Sequence, residues 1–276
     1  DYVPKPFDLD DLLDAARRAL MRGPEAKTRA LAAAAEREER LPLIGRSAAM
    51  QDVYRIMARS AGTDMTVLIE GETGTGKEAA ARAIHQFSKR KNGPFVRLSL
   101  AGASGTAAAK ALFEEGGDAL QAAGGTLFID DIDALTADGQ TALERFLDRR
   151  GADPAGDARI LAASARSLGA LALEGAFRPD LYYRLAIVTI RIPPLRERLE
   201  DVGDLARAFL VRAKREGLPE KGIDGSAIEL LKTHNWPGNV RELENLLRRV
   251  AALRPEPLIT AREIAGEMSA LRIETT

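Results

Sequence analysis

The sequence contains no cysteine, which excludes a disulfide framework and any thiolate zinc site. Its only two histidines, His85 and His234, are too few for a histidine-based metal centre. Charge of one sign is missing as well. Lys+Arg of 40 against Asp+Glu of 41 leave a formal net charge of -1, so no global basic field exists to hold nucleic acid non-specifically, and any DNA contact has to be local. No apolar run approaches the roughly 20 residues that cross a bilayer, and the acidic, proline-containing start DYVPKPFD is unlike a signal peptide. The expectation is a cytoplasmic protein with no membrane partner. What is present is 276 residues at 45% hydrophobic content, enough for one large core with smaller attachments.

Along the chain, Asp8 can cap a helix whose Leu9, Leu12, Leu13, Ala16 and Leu20 form one apolar stripe, and Gly23-Pro24 stops it. The segment from Glu25 to Arg40 has high helix propensity and little bulk to bury, so it reads as a helical linker able to pair with a copy of itself. Pro42 ends it. Five short β-rich runs follow, Thr66 to Glu70, Phe95 to Leu100, Thr126 to Asp130, Arg159 to Ser164 and Ile187 to Ile192, separated by helical stretches. That alternation predicts an α/β fold with a parallel sheet covered on both faces. Beyond Pro193-Pro194 only helical patterns remain, near Asp201 to Glu216, Ser226 to Thr233, Asn239 to Leu253 and Thr260 to Leu271, which predicts a second, all-helical subdomain.

The string GETGTGKE, comprising Gly71, Glu72, Thr73, Gly74, Thr75, Gly76, Lys77 and Glu78, satisfies G-x-x-x-x-G-K directly after an apolar strand and before a helical stretch. Phosphate binding needs this chemistry. Glycines let backbone N–H groups turn inward onto phosphate oxygens, the helix that follows points its positive end at them, and Lys77 adds a mobile charge for the outer phosphates. ATP or ADP is the expected ligand. Glu78 stands where a Ser or Thr commonly reaches Mg²⁺, so metal binding leans on a second acidic site. That site is TLFIDD, an apolar strand ending in Asp130 and Asp131 at the sheet edge where the nucleotide of such a fold lies. Asp130 is the expected Mg²⁺ holder, through water.

From Leu41 onward the chain resembles the AAA+ domain of the NtrC-like bacterial enhancer-binding proteins, activators of sigma-54 RNA polymerase. The matching blocks are LPLIGRSAAM, GETGTGKE, TLFIDD, FRPDLYYRL, PPLRER and NWPGNVREL, and the family also carries Glu after the P-loop Lys. The start, DYVPKPFDLDDLL, resembles the end of a phosphoacceptor receiver domain, with Lys5 at the receiver's invariant Lys. The resemblance implies an AAA+ P-loop fold divided into a receiver remnant (1–22), a helical linker (23–41), an α/β nucleotide-binding subdomain (42–194), a helical lid (195–255) and a linker (256–276) toward a DNA-binding domain outside the chain. It also implies roles. Arg178 and Arg184 would act as arginine fingers on a neighbouring subunit's γ-phosphate in a homo-oligomer. Arg241, in the first turn after NWPGN, would be the sensor that carries nucleotide state into the lid. Neither histidine has such a role, and both read as packing or surface residues.

The sequence also departs from the family. The GAFTGA loop that engages sigma-54 is absent where the text runs ALFEEGGDALQAAGGTLFIDD. Asp131 replaces the Glu that orients the attacking water and reaches about 1.5 Å less far; a misplacement of about 1 Å costs on the order of 10²-fold in rate. Ser99 stands at the family's Asn switch, and Ala165, at the sensor Asn, has no group with which to read a γ-phosphate. NtrC-like proteins without GAFTGA, found in some phototrophic α-proteobacteria, work with the housekeeping sigma factor. Two functions stay open. One is a response-regulator transcription activator, with nitrogen control the implied pathway, whose nucleotide drives self-association with slow or weak hydrolysis. The other is a hydrolysing motor that remodels a protein partner, with Asp131 sufficient as the catalytic carboxylate.

Overall fold

The computed structural model describes residues 43–100, 118–149 and 157–274. The expected receiver remnant, the helical linker and most of the shortened segment around ALFEEGG lie outside them. Helix α1 (Ala48–Ala61) starts at Ser47, whose hydroxyl accepts from the Met50 N–H, and it buries Met50, Val53, Tyr54, Met57 and Ala61 along one stripe. Strands β1 (Val67–Glu70), β2 (Phe95–Ser99), β3 (Thr126–Asp130), β4 (Arg159–Ser164) and β5 (Val188–Arg191) follow, each within a residue or two of its expected span. They form one parallel sheet in the order β2-β3-β4-β1-β5. Between them run α2 (Lys77–Gln86), α3 (Ala137–Arg149), α4 (Leu168–Leu173) and α5 (Pro179–Leu185).

The central strands β1, β3 and β4 are buried at every position, whereas the edge strands β2 and β5 are partly exposed. Alternation divides each central strand between two cores. Leu68, Leu127, Ile129, Ile160 and Ala162 enter the core that holds Leu143, Phe146 and Phe177. Val67, Ile69, Phe128, Leu161 and Ala163 enter the one that holds Met50, Met57 and Ile84. Arg159, buried at the start of β4, donates to the Ser60 and Ala61 carbonyls and so closes the C-terminal end of α1.

The lid is built from α6 (Val202–Arg215), α7 (Gly225–Lys232), α8 (Asn239–Leu253) and α9 (Ala261–Glu274) around Leu205, Phe209, Leu231, Trp236, Leu243, Leu247 and Val250. Two expectations need correction here. The lid is not wholly helical: β6 (Gly222–Ile223) pairs in parallel with β7 (Leu258–Ile259), a ladder of two residues per strand, too short to leave a periodic signal. The helix expected near Thr260 to Leu271 is present as α9, but the stretch expected as linker (256–276) packs on the lid where it is described: β7 and α9 place Ile259 and Ile264 in the lid core, and the buried Glu267 accepts from Arg254. Among the described residues no helix is long and apolar enough to cross a membrane.

Candidate nucleotide site

The segment Gly71 to Gly76 joins the end of β1 to the start of α2, as the strand-loop-helix pattern requires. Its backbone depends on glycine: Gly74 and Gly76 sit at φ +80° and +106°, the left-handed region that other residues occupy only under strain. At Gly74 there is a second reason, since a Cβ would lie 2.2 Å from the Gly238 carbonyl oxygen of the lid. Thr75 Oγ1 donates to the Glu72 carbonyl at 2.8 Å. Lys77 Nζ arches back over the loop to the Gly71 and Glu72 carbonyls, at 2.7 and 3.2 Å. Burial holds the Lys77 ammonium below the usual lysine pKa against the opposing pull of Asp130, Asp131 and Asp133, and Arg241 adds to the lowering. Three carboxylates and a second cation therefore act electrostatically on this ammonium.

Asp130, at the buried end of β3, accepts from Arg97 Nη2 at 2.7 Å and from the Asp131 N–H at 3.2 Å. Asp131 follows in the left-handed conformation, φ +57°, which Asp tolerates better than most residues. Burial, then Asp130, raises the Asp131 pKa, with Lys77 and Arg97 opposing. Ser99 pairs in register with Asp130 from the edge strand. The Ala165 N–H donates to Asp133 at 3.3 Å.

Three elements of the lid and its entry hold the loop in place, and the sequence reading gave none of their residues a role. Asn239 is fully buried; its amide N donates to Glu72 Oε2 and to the Thr73 carbonyl, both at 3.1 Å, while its amide O accepts from the Leu195 N–H at 2.8 Å. Arg196 forks onto the Glu72 carboxylate at 2.8 and 2.6 Å. Together Arg196 and Asn239 lower the Glu72 pKa to about 2. Arg198, buried, donates to the Thr75 carbonyl at 2.9 Å. Nearby, Asp201 accepts from Arg46 N, Ser47 N and Ser47 Oγ at 2.7 to 2.8 Å, fixing the start of α1. The sequence signal for these residues is confined to the polar side chains within PPLRER and NWPGN. Its target is remote in sequence and could not be read locally.

Arg241 enters α8 beside the loop, its N–H donating to the Gly74 carbonyl at 3.3 Å. An ordinary bridge to its helix neighbours is not what forms: Glu242 accepts from Gly238 N, and Glu244 pairs with Arg212 and Arg248. The turn before it is strained. Trp236 and Asn239 have φ +51° and +54°, and the buried Trp236 is held by its indole N–H on the Leu231 carbonyl at 2.9 Å and by its backbone N–H on His234 Nδ1 at 3.0 Å. His85 is a core residue, with Nδ1 2.9 Å from Thr126 Oγ1 and its ring 5.4 Å from that of Phe95.

The structure does not bring Arg178 and Arg184 to this chain's own loop. Both belong to the α5 region: Arg178 pairs with Asp180 and Glu144, and Arg184 with Asp148.

A glycine cradle opening a helix, a Lys reaching back over it, an acid-ended neighbouring strand and a lid clamped onto the cradle define a P-loop NTPase of the AAA+ arrangement. Residues 43–191 match the sigma-54 interaction domain family, and residues 196–275 match the AAA+ ATPase lid domain. The chain belongs to the sigma-54 interaction domain family. It is 46% identical over 289 residues to the DNA-binding transcriptional regulator NtrC of Bradyrhizobium sp., a match covering 98% of this chain and 60% of that protein. Against NtrC of Azospirillum brasilense the identity is 47% over 289 residues, with the same coverage of 98% and 60%. The crystal structure of NtrX from Brucella abortus in complex with ATP superposes with a TM-score of 0.73 at 32% identity, covering 99% of this chain and 67% of that one. The chain thus spans about 60% of the length of the NtrC relatives it matches.

Proposed function

We propose that this chain is the ATP-binding AAA+ portion of an NtrC-like response-regulator transcription activator, in which nucleotide drives self-association and hydrolysis is slow. The observation that carries the reading is the cradle Gly71–Lys77, where left-handed glycines, a helix start and a buried ammonium fit a triphosphate. The ATP complex of the structurally similar NtrX supports it. On this reading residues 42–194 form the nucleotide-binding unit and the lid extends from 195 through α9. Glycines 71, 74 and 76 with Glu72, Thr73, Thr75, Lys77, Glu78 and Arg241 form the nucleotide contacts. DNA contact belongs to a domain outside this chain, and nitrogen control, the role of the NtrC relatives, is the pathway we assign.

Arg178 and Arg184 act in trans. Their present partners are the exposed Asp180 and Asp148 and the half-buried Glu144; exposed pairs contribute only about 0–1 kcal/mol, so Arg184, and Arg178 with respect to Asp180, can exchange onto a neighbour's phosphate at little cost. The absence of a GAFTGA string supports work with the housekeeping sigma factor in place of sigma-54.

Slow hydrolysis rests on three positions. Asp131 is a short carboxylate on a left-handed residue, Ser99 offers a hydroxyl where the family places an amide, and Ala165 contributes only its backbone N–H, which is already directed at Asp133. Steady-state turnover by the purified chain, with Lys77→Ala as the blank, tests this. We expect nucleotide binding with turnover well below about 1 s⁻¹, the lower end for ordinary enzymes. Turnover above that value would establish the alternative, a hydrolysing motor with Asp131 as its catalytic carboxylate.

A further inference from the structure

Asp130, the carboxylate expected to hold a divalent cation, and Glu78, which follows the P-loop Lys, already share a cation. Arg97 Nη2 lies 2.7 Å from Asp130 Oδ2, and its Nη1 lies 3.2 Å from Glu78 Oε2. The remaining oxygens are also engaged: Glu78 Oε1 accepts from Arg82 at 2.8 and 2.9 Å, and Asp130 Oδ1 from the Asp131 N–H at 3.2 Å. Three of the four carboxylate oxygens therefore accept hydrogen bonds from the protein itself, and the fourth, Glu78 Oε2, is ion-paired with Arg97. The two acids and two arginines form a neutral set, and a dication entering it would have to displace a guanidinium from a two-carboxylate site.

The fold explains why Arg97 reaches this place. It stands on β2, the edge strand beside β3, two residues from Phe95 and therefore on the same face. Phe95 packs against His85 of α2 and Phe128 of β3, so that face looks toward the helix that opens at the P-loop. Arg82 of α2 lies 4.7 Å over the Phe95 ring, which fixes the side of Glu78 that Arg97 does not occupy. A guanidinium keeps its charge throughout the ordinary pH range and holds two carboxylates at once through its planar fork. Among the described residues no group of three or more His, Asp or Glu side chains is arranged to hold a metal ion. What stands against the expected Mg²⁺ at Asp130 is the guanidinium already paired with that carboxylate.

We propose that Arg97 is a resident counter-charge at the metal position of the nucleotide site, so that this chain binds nucleotide without requiring a divalent cation. The inference rests on the nucleotide-binding reading above and goes beyond it, because it concerns what neutralises the phosphates. Lys77 lies on the loop carbonyls and Arg97 on the two carboxylates beside them, so that together they supply fixed positive charge where a dication would otherwise supply it.

The test is calorimetric titration of the purified chain with ATP, once in excess Mg²⁺ and once in excess EDTA, for wild type, Arg97→Ala and Arg97→Lys. Wild type is expected to bind with affinities in the two buffers that agree within about 3-fold. A charge-assisted contact is worth about 1.5–3 kcal/mol, or about 10- to 100-fold, so Arg97→Ala should lose about that factor in EDTA and recover much of it in Mg²⁺. Arg97→Lys, a point charge without the fork, should fall between the two. Mn²⁺ added to each ATP complex and followed by electron paramagnetic resonance gives a readout independent of affinity, with more protein-associated Mn²⁺ expected in Arg97→Ala. Loss of wild-type binding by 10-fold or more in EDTA would overturn the proposal, as would equal metal dependence in wild type and Arg97→Ala. No ATP binding by wild type in either buffer would overturn the nucleotide reading itself, and this inference with it. Thermal melting of the variants confirms folding, which the exposed position of Arg97 on an edge strand favours.

Discussion

Asn239 joins three pieces of chain that are far apart in sequence, and replacing it measures how firmly the lid is fastened to the P-loop. In Asn239→Ala the buried Leu195 N–H loses its acceptor, and an unsatisfied buried donor costs about 1–3 kcal/mol. The residue also sits at φ +54°, where alanine is worse than asparagine by about 1 kcal/mol. The two donations toward Thr73 and Glu72 add little, because Thr73 is exposed and Glu72 keeps Arg196. The expected loss is about 2–4 kcal/mol, a fall in Tm of about 5–15 °C for a domain of this size. Asn239→Gly separates the two terms: it loses the same hydrogen bonds but relieves the left-handed strain, so it should be more stable than the alanine variant by about 1 kcal/mol. Urea and thermal melts of the three proteins suffice. An alanine variant within about 0.5 kcal/mol of wild type, the range of an ordinary surface change, would refute the clamp. A glycine variant less stable than alanine would refute the backbone term.

Gly74→Ala should be comparably damaging, since its Cβ would stand 2.2 Å from a backbone oxygen at φ +80°; overpacking of about 1–3 kcal/mol with about 1 kcal/mol of left-handed strain gives a loss of about 2–4 kcal/mol together with weaker ATP binding, and an unchanged melt would show that the lid yields freely. Burial, reinforced by Arg159 and Arg82, lowers the His85 pKa, so the folded protein favours the neutral ring and the unfolded chain binds the extra proton. Stability from this residue is therefore complete above the unfolded value of about 6.5 and is lost as pH falls from there toward the lowered folded pKa. Melting at pH 7.5 and 5.5 should show a larger drop for wild type than for His85→Phe; equal drops would assign the acid sensitivity elsewhere.

The parallel sheet was legible because its evidence is local. Each strand is a short apolar β-branched run, and all five emerge within a residue or two of where the runs stand. The cradle was legible for the same reason, since the turn demands glycine at specific positions and no partner has to be known. The fastening of the cradle was hidden because it is not local: Asn239 and Glu72 are 167 residues apart. Nothing in NWPGN indicates which backbone its amide will find. Arg97 is, in sequence, one charge within a β-rich run. Its meaning depends on β2 lying beside β3 and facing α2, which only the sheet order reveals. The β6–β7 pair left no signal because two residues carry no period.

Once these partners are known, the charges around the cradle separate into two groups. Glu72 is held by Arg196 and Asn239, Glu78 by Arg82 and Arg97, and Asp130 by Arg97; in each, cation and anion already answer one another within the protein. Lys77 is different. Its ammonium donates to two neutral carbonyls, so its charge is near three acids without being hydrogen-bonded to any of them. Arg241 is placed similarly: the two glutamates within helical reach are engaged elsewhere, and its charge is felt at Lys77. Two like charges drawn together at a glycine cradle repel each other unless an anion lies between them. On the proposed nucleotide reading, an arriving phosphate would relieve that repulsion, and because Arg241 stands in the first turn of α8 with its N–H on the Gly74 carbonyl, the relief would act between loop and lid. On that reading, this pair of cations would both bind the phosphate and report its presence to the lid.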